Sequence, residues 1–156
     1  MKIHLVAVGT KMPDWVTQGF LEYSKRLPRE CQLQLVEITP AKRGKTSQPE
    51  QWMKDEAQRI LAAIPDSHFV IALEVTGKRW TTEQLADNMQ QWLYDGRDVS
   101  LLVGGPDGLD PSCLQRADKT WSLSDLTLPH PLVRIVLAEQ LYRGWTILQN
   151  HPYHRA

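Results

Sequence analysis

An α/β fold, with a mostly parallel sheet and helices on both faces, is predicted by three observations. Short runs rich in Val, Ile and Leu alternate with segments whose apolar residues recur at helical spacing. That alternation is the pattern of strands joined by helical crossovers. The run Val99 to Val103 is apolar almost without a break, as expected of a strand covered on both faces. It leads straight into Gly104-Gly105-Pro106-Asp107-Gly108, a loop at a strand's carboxyl end.

Lys2 to Val8 is the first strand, closed by Gly9. Trp15, Val16, Phe20, Tyr23 and Leu27 fall at helical spacing, so a helix is expected from Asp14 to Arg26, ended by Pro28. Leu33 to Ile38 is the second strand. Thr39 to Pro49 holds Pro, Gly and Ser around Lys42-Arg43-Gly44-Lys45 and reads as an exposed loop. Glu50 to Ile64 is helical, with Trp52, Ala57, Ile60, Leu61 and Ile64 on one side, and Phe69 to Leu73 is the third strand. Thr81 and Gln84 have the spacing of a capping box, so a helix starts there and runs to about Tyr94, stopped by Gly96.

After the glycine loop, Asp110-Pro111 opens a further helix, with a capping carboxylate followed by a proline suited to the first turn. Thr120 to Leu123 is expected as a short last strand. Leu132 to Gln149 is the longest apolar helix, and a polar tail, His151 to Ala156, closes the chain. A length of 156 residues suits one domain, residues 1–156, with one core.

The first apolar run is too short to span a membrane and has no cleavage region behind it, so a cytoplasmic protein is expected. Cys31 and Cys113 are the only cysteines and form no CxxC pair, which predicts two buried reduced thiols. His151 and His154 lack an accompanying carboxylate or thiol cluster, so no metal is expected. The formal net charge is zero, whereas proteins that grip naked nucleic acid are usually strongly basic. RNA contact would need a local cluster such as Lys42 to Lys45, or a partner recognised by shape.

Ligands of open α/β sheets bind beyond the carboxyl ends of the strands. Three such ends are prominent: Leu73 to Lys78, Gly104 to Gly108, and Leu123 to Pro131. A dinucleotide-binding domain would place a glycine fingerprint after the first strand. Gly9 stands alone there, and no P-loop is present, so a cofactor site belongs to the C-terminal half.

VGGPDGL, WSLSDLTLPHPLVRIVLAEQLYRGW and the terminal NHPYHR closely resemble the RlmH family, the pseudouridine-N3 methyltransferases of the large ribosomal subunit. VAVGTKMPDW and KRGK match too, so the resemblance covers essentially the whole chain. It implies the SPOUT class, with a C-terminal trefoil knot that no periodicity could reveal. It also implies S-adenosyl-L-methionine as methyl donor, held by Leu73, Gly104, Gly105, Leu123, Ser124, Asp125, Leu126, Thr127 and Leu128. Tyr153 and His154 are the implied catalytic candidates for handling the N3 proton, and Arg155 is suited to a phosphate of the substrate. Composition alone would make that tail a solvated end. The implied partners are a second copy of the chain and the ribosome, through its 23S rRNA. The apolar girdle of the last helix agrees with a homodimer, since it calls for burial on more than one side. A SPOUT enzyme acting on another RNA base, and a non-catalytic ribosome-binding factor, are the alternatives.

Overall fold

Five apolar runs become strands: β1 (Lys2–Val8), β2 (Gln32–Ile38), β3 (Phe69–Arg79), β4 (Val99–Val103) and β5 (Lys119–Ser122). In the computed structural model, which describes residues 1–155, they form one sheet in the order β2-β1-β4-β3-β5. Ala156, the last residue of the tail, lies outside the described residues. Every pairing is parallel. The α-helices are α1 (Asp14–Ser24), α2 (Pro49–Ala62), α3 (Thr82–Asp95), α4 (Pro111–Arg116) and α5 (His130–Leu148).

Alternation along each strand divides the core into two layers. Ile3, Leu5 and Ala7 of β1 join Leu101, Val103 and Ile71 beneath residues of α1, α3 and α5. Val6, Val8, Leu102, Val70 and Ala72 face the other way, toward Ala57 and Ile60 of α2 and Cys113 of α4. Both faces are therefore covered, which explains why β4 is apolar except at Ser100.

The expected helix starts are made by the expected side chains. Thr81 Oγ1 accepts from Gln84 N at 3.1 Å, and Gln84 Oε1 accepts from Thr81 N at 2.8 Å. Gly96 ends α3 in the left-handed conformation, with φ at 83°. Asp110 accepts from Ser112 N at 3.0 Å at the start of α4.

Most boundaries fall within two residues of the sequence expectation, and three of the differences have a clear physical reason. α1 ends at Ser24, and the chain beyond it turns through Lys25 and Arg26 instead of continuing the helix. α5 begins two residues early, because Pro131 fits its first turn and needs no amide partner. β3 runs well past Leu73. Leu73 and Lys78 both pair with Trp121 of β5, so Glu74 to Gly77 leave the ladder and the strand then resumes. A side chain at Gly77 would bring its Cβ within 2.7 Å of Trp121 N, which is why a glycine closes this excursion.

α5 lies between α1 and α3 on the sheet. Gly19 of α1 receives Ile135, and Gly144 admits Met89 of α3. The helix is thus flanked on two sides and floored by the sheet within one chain, which accounts for much of its apolar girdle. Among the described residues, no helix is long and apolar enough to cross a membrane.

Candidate active site

The three strand ends singled out in the sequence converge on one cleft of about 710 Å³. That volume lies within the roughly 300–1,000 Å³ usual for small-molecule sites. Leu73, Gly104, Gly105, Leu123, Ser124, Leu126, Thr127 and Leu128 all line it. Asp125 does not: its carboxylate turns out to Arg79, 2.7 Å away. The Asp125 side chain is thus held in a solvent-exposed ion pair, outside the lining of the cleft.

The glycines of the central loop serve its own folding. A Cβ on Gly104 would come within 2.5 Å of the Gly108 carbonyl carbon, because Gly105 to Gly108 turn back over it. At Gly105 a Cβ would lie 3.4 Å from both Glu56 Oε1 and Val8 Cγ1. Gly105 is thus held closely against a buried carboxylate and the sheet. A side chain that extends beyond Cβ there would press on Glu56 and Val8 and displace the loop.

The walls combine apolar side chains with exposed backbone. Val75 and Leu126 are each 73% exposed at the rim, which offers two apolar surfaces to a flat ligand. Ser124 Oγ accepts from Leu126 N at 2.9 Å and fixes the turn of the third loop. Glu74 and Asp107 supply carboxylates, and Asp107 pairs with Arg43 at 3.0 Å. Arg43 also covers the Trp52 ring, so the basic Lys42 to Lys45 loop is tied to the cleft's glycine loop.

His130, at the start of α5, lines the floor and was not among the expected site residues. Its Nδ1 lies 3.2 Å from the Gly104 carbonyl oxygen, and its Nε2 accepts from Arg134 Nε at 3.1 Å. A nitrogen that accepts from arginine carries a lone pair, so the ring is neutral and Nδ1 donates to Gly104. Burial, and then the Arg134 charge, hold His130 below the ordinary histidine range. With both nitrogens engaged it positions the loop and is a poor base. The proline-flanked His130 was the one available signal in the sequence.

Arg134 is 1% exposed, a buried charge in the wall behind this loop. It donates to Glu37 Oε2 at 2.8 Å and to the Gly9 carbonyl at 3.0 Å, besides His130. Arg143 is an ion-pair partner of Glu139, at 2.8 Å. Cys113 is buried and its thiol is pushed up to about 11 by that burial, so it offers no nucleophile at neutral pH.

Tyr153, His154 and Arg155 do not line this cleft. The tail folds back along α5, where the Tyr153 hydroxyl donates to Glu139 Oε2 at 2.7 Å and its ring packs on Tyr142. Burial and the bond to Glu139 push the phenol up to about 12. His154 Nε2 lies 3.7 Å from Glu83 Oε1 of α3, and its Nδ1 is buried without a partner among the described residues. Arg155 is exposed.

Residues 1–154 match the family model described as "Predicted SPOUT methyltransferase". The chain is 59% identical over 155 residues to a protein of Marinomonas sp. (strain MWYL1) named "Ribosomal RNA large subunit methyltransferase H"; the match covers 99% of this chain and all of that one. A protein of the same name from Nitrosococcus oceani is 54% identical, over 100% of this chain and 99% of its own length. Two solved structures of methylase family proteins share the fold. The one from Haemophilus influenzae Rd KW20 has a TM-score of 0.59 at 12% identity, over 99% of this chain and 70% of that one. The one from Neisseria gonorrhoeae has 0.58 at 15%, over 99% and 88%. With a family model matched along almost its whole length and full-length relatives well above half identical, this chain is a methyltransferase of the SPOUT family.

Proposed function

We propose that this chain, as one SPOUT domain, methylates N3 of a pseudouridine in 23S rRNA on the assembled ribosome, in the cytoplasm, with S-adenosyl-L-methionine as donor. The observation that carries this reading is the three-loop cleft, taken together with relatives named for methylation of large-subunit ribosomal RNA. Its chemistry fits the donor. Leu73, Leu126 and Leu128 offer apolar surfaces for adenine, backbone groups of the glycine and third loops can bond its edge, and Glu74 brings negative charge toward a sulfonium. The bound donor would supply an electrophilic methyl carbon on a good leaving group, so the chain's main task is alignment. The expected trefoil knot belongs to the same reading. After β5, at the sheet's edge, the chain returns over the strand ends to α5 between α1 and α3.

The N3 proton needs a path out. Tyr153 stays protonated at neutral pH and is bonded to Glu139, so the pair suits a relay: the hydroxyl takes the proton as its own passes to the carboxylate. Since the tail does not line its own chain's cleft, we assign Tyr153, His154 and Arg155 to the cleft of a partner in a homodimer. The tail's position on α5, the helix expected at the subunit boundary, supports that assignment. The exposed Arg155 and the Lys42 to Lys45 loop then serve phosphates around the target base.

The test is transfer of labelled methyl groups to intact ribosomes and to free RNAs, followed by mass mapping. Label at N3 of one pseudouridine in 23S rRNA is expected. Label confined to transfer RNA, or at another atom, would overturn the substrate assignment.

A further inference from the structure

At the opposite ends of the strands, away from the cleft, the parallel register gathers two histidines and an aspartate far apart in sequence. His4 of β1 stands opposite Ser100 of β4, and Ser100 opposite Val70 of β3. His68 and Asp98 lie just before β3 and β4, respectively. One ligand atom from each of His4, His68 and Asp98 lies within 4.8 Å of the others. The two rings meet edge to face with centroids 4.9 Å apart.

Each side chain already has a holder on its far side. His68 Nδ1 is bonded to Ser100 Oγ at 2.9 Å, which leaves Nε2 turned toward Asp98 Oδ2 at 3.9 Å. Asp98 Oδ1 accepts from Lys2 N at 2.9 Å, which leaves Oδ2. His4 Nε2 is buried and has no hydrogen-bond partner among the described residues. A buried polar atom without a partner is costly, and its presence calls for an explanation. A Ser-His-Asp hydrolytic triad is not that explanation. Ser100 is 0% exposed, beyond any substrate's reach, and 3.9 Å is too long for the histidine–carboxylate hydrogen bond.

We propose that His4 Nε2, His68 Nε2 and Asp98 Oδ2 bind one divalent transition-metal ion, best matched by Zn²⁺. Two imidazoles and a carboxylate are ligands of that class, whereas Ca²⁺ and Mg²⁺ seek oxygen alone. Three protein ligands leave a fourth position for water. Ser100 and the Lys2 amide orient the ligands as outer-shell groups do in metal sites. Burial, and next His68, hold His4 below the ordinary histidine range, so its nitrogen keeps a lone pair at neutral pH. Bonds of about 2.0–2.1 Å would draw the three atoms together by roughly 1 Å. The ion would tie the starts of β1, β3 and β4. The absence of metal expected from the sequence weighed only His151 and His154, and the site does not depend on the methyl-transfer reading.

The experiment is calorimetric titration of tag-free, full-length, chelator-treated protein with ZnCl₂, with Co²⁺ absorption as a second probe. One Zn²⁺ per chain, a raised Tm and the visible bands of four-coordinate Co²⁺ are expected. His4→Gln and Asp98→Asn should each weaken binding at least about tenfold, while His151→Gln/His154→Gln binds like the parent. Asp98→Asn keeps the acceptor for Lys2 N, so it remains informative if His4→Gln folds poorly. No saturable binding, unchanged binding in the folded site variants, or loss only in the tail variant would each overturn the proposal.

Discussion

Arg134 spends its guanidinium on three different elements: Glu37 at the end of β2, the Gly9 carbonyl after β1, and His130 at the head of its own helix. Through His130 it reaches the carbonyl of Gly104, so a buried charge is coupled to the loop that forms the cleft. This arrangement gives stability a pH dependence of definite sign. His130 is held below its ordinary value of 6.5, so the unfolded chain takes up the proton more readily than the folded one. Its contribution is complete above about 6.5 and is lost as the pH falls through the folded-state value. Urea midpoints should therefore drop between pH 7.5 and 5.5, and His130→Gln should flatten part of that drop. An unchanged slope in the variant would remove His130 as the cause. Glu139 makes a second prediction at this scale. If it accepts the proton relayed through Tyr153, Glu139→Gln should lower kcat by about 10²-fold or more and leave cofactor affinity nearly unchanged. Equal losses in both would make Glu139 a support for the tail only.

Among the elements, the tail is the one whose role can be separated from the fold. Deleting residues 153–156 removes the Tyr153 bond to Glu139, its packing on Tyr142 and the contact with Arg143. These are partly exposed interactions worth about 1–2 kcal/mol together, against a core that lies elsewhere. The truncated protein should stay folded, bind S-adenosyl-L-methionine with near-parental affinity by calorimetry, and fail to methylate ribosomes. Near-normal transfer would return the tail to a solvated end. Elements of this kind were legible wherever the signal is local: all five strands, the Thr81–Gln84 box and the Asp110 cap follow from neighbours in sequence. The return of β3 at Lys78 was not, since it is fixed by Trp121 on another strand. The burial of Arg134 and the meeting of His4 with His68 likewise depend on contacts between segments far apart in sequence. Eight of the nine residues expected at a cofactor line the cleft because the carboxyl ends of parallel strands share one edge of the sheet; Asp125 stands apart because its carboxylate pairs with Arg79 of β3.

At the scale of the whole molecule, the question is what α5 meets on its outer side. Leu141 is fully buried against the sheet, so a charge there would test folding; Leu132, 39% exposed, is the position that tests association. Sedimentation should show a homodimer at micromolar concentration, and Leu132→Asp should shift it toward monomer. If the tail serves the partner's cleft, two dead proteins can restore each other. One chain lacks residues 153–156 and keeps its cleft. The other carries Gly105→Val, whose side chain would push the loop off Glu56 and Val8, and keeps its tail. Each homodimer should be inactive, the second because it no longer binds the cofactor by calorimetry. In a two-fold dimer a mixed pair then joins one intact cleft to one intact tail. Random exchange makes half the dimers mixed, each with one of two sites working, so about a quarter of parental methyl transfer should return. If each tail folds into the cleft of its own chain, mixing joins no intact pair and nothing returns. Activity regained on mixing, absent when the same chains carry Leu132→Asp, would assign the tail across the interface.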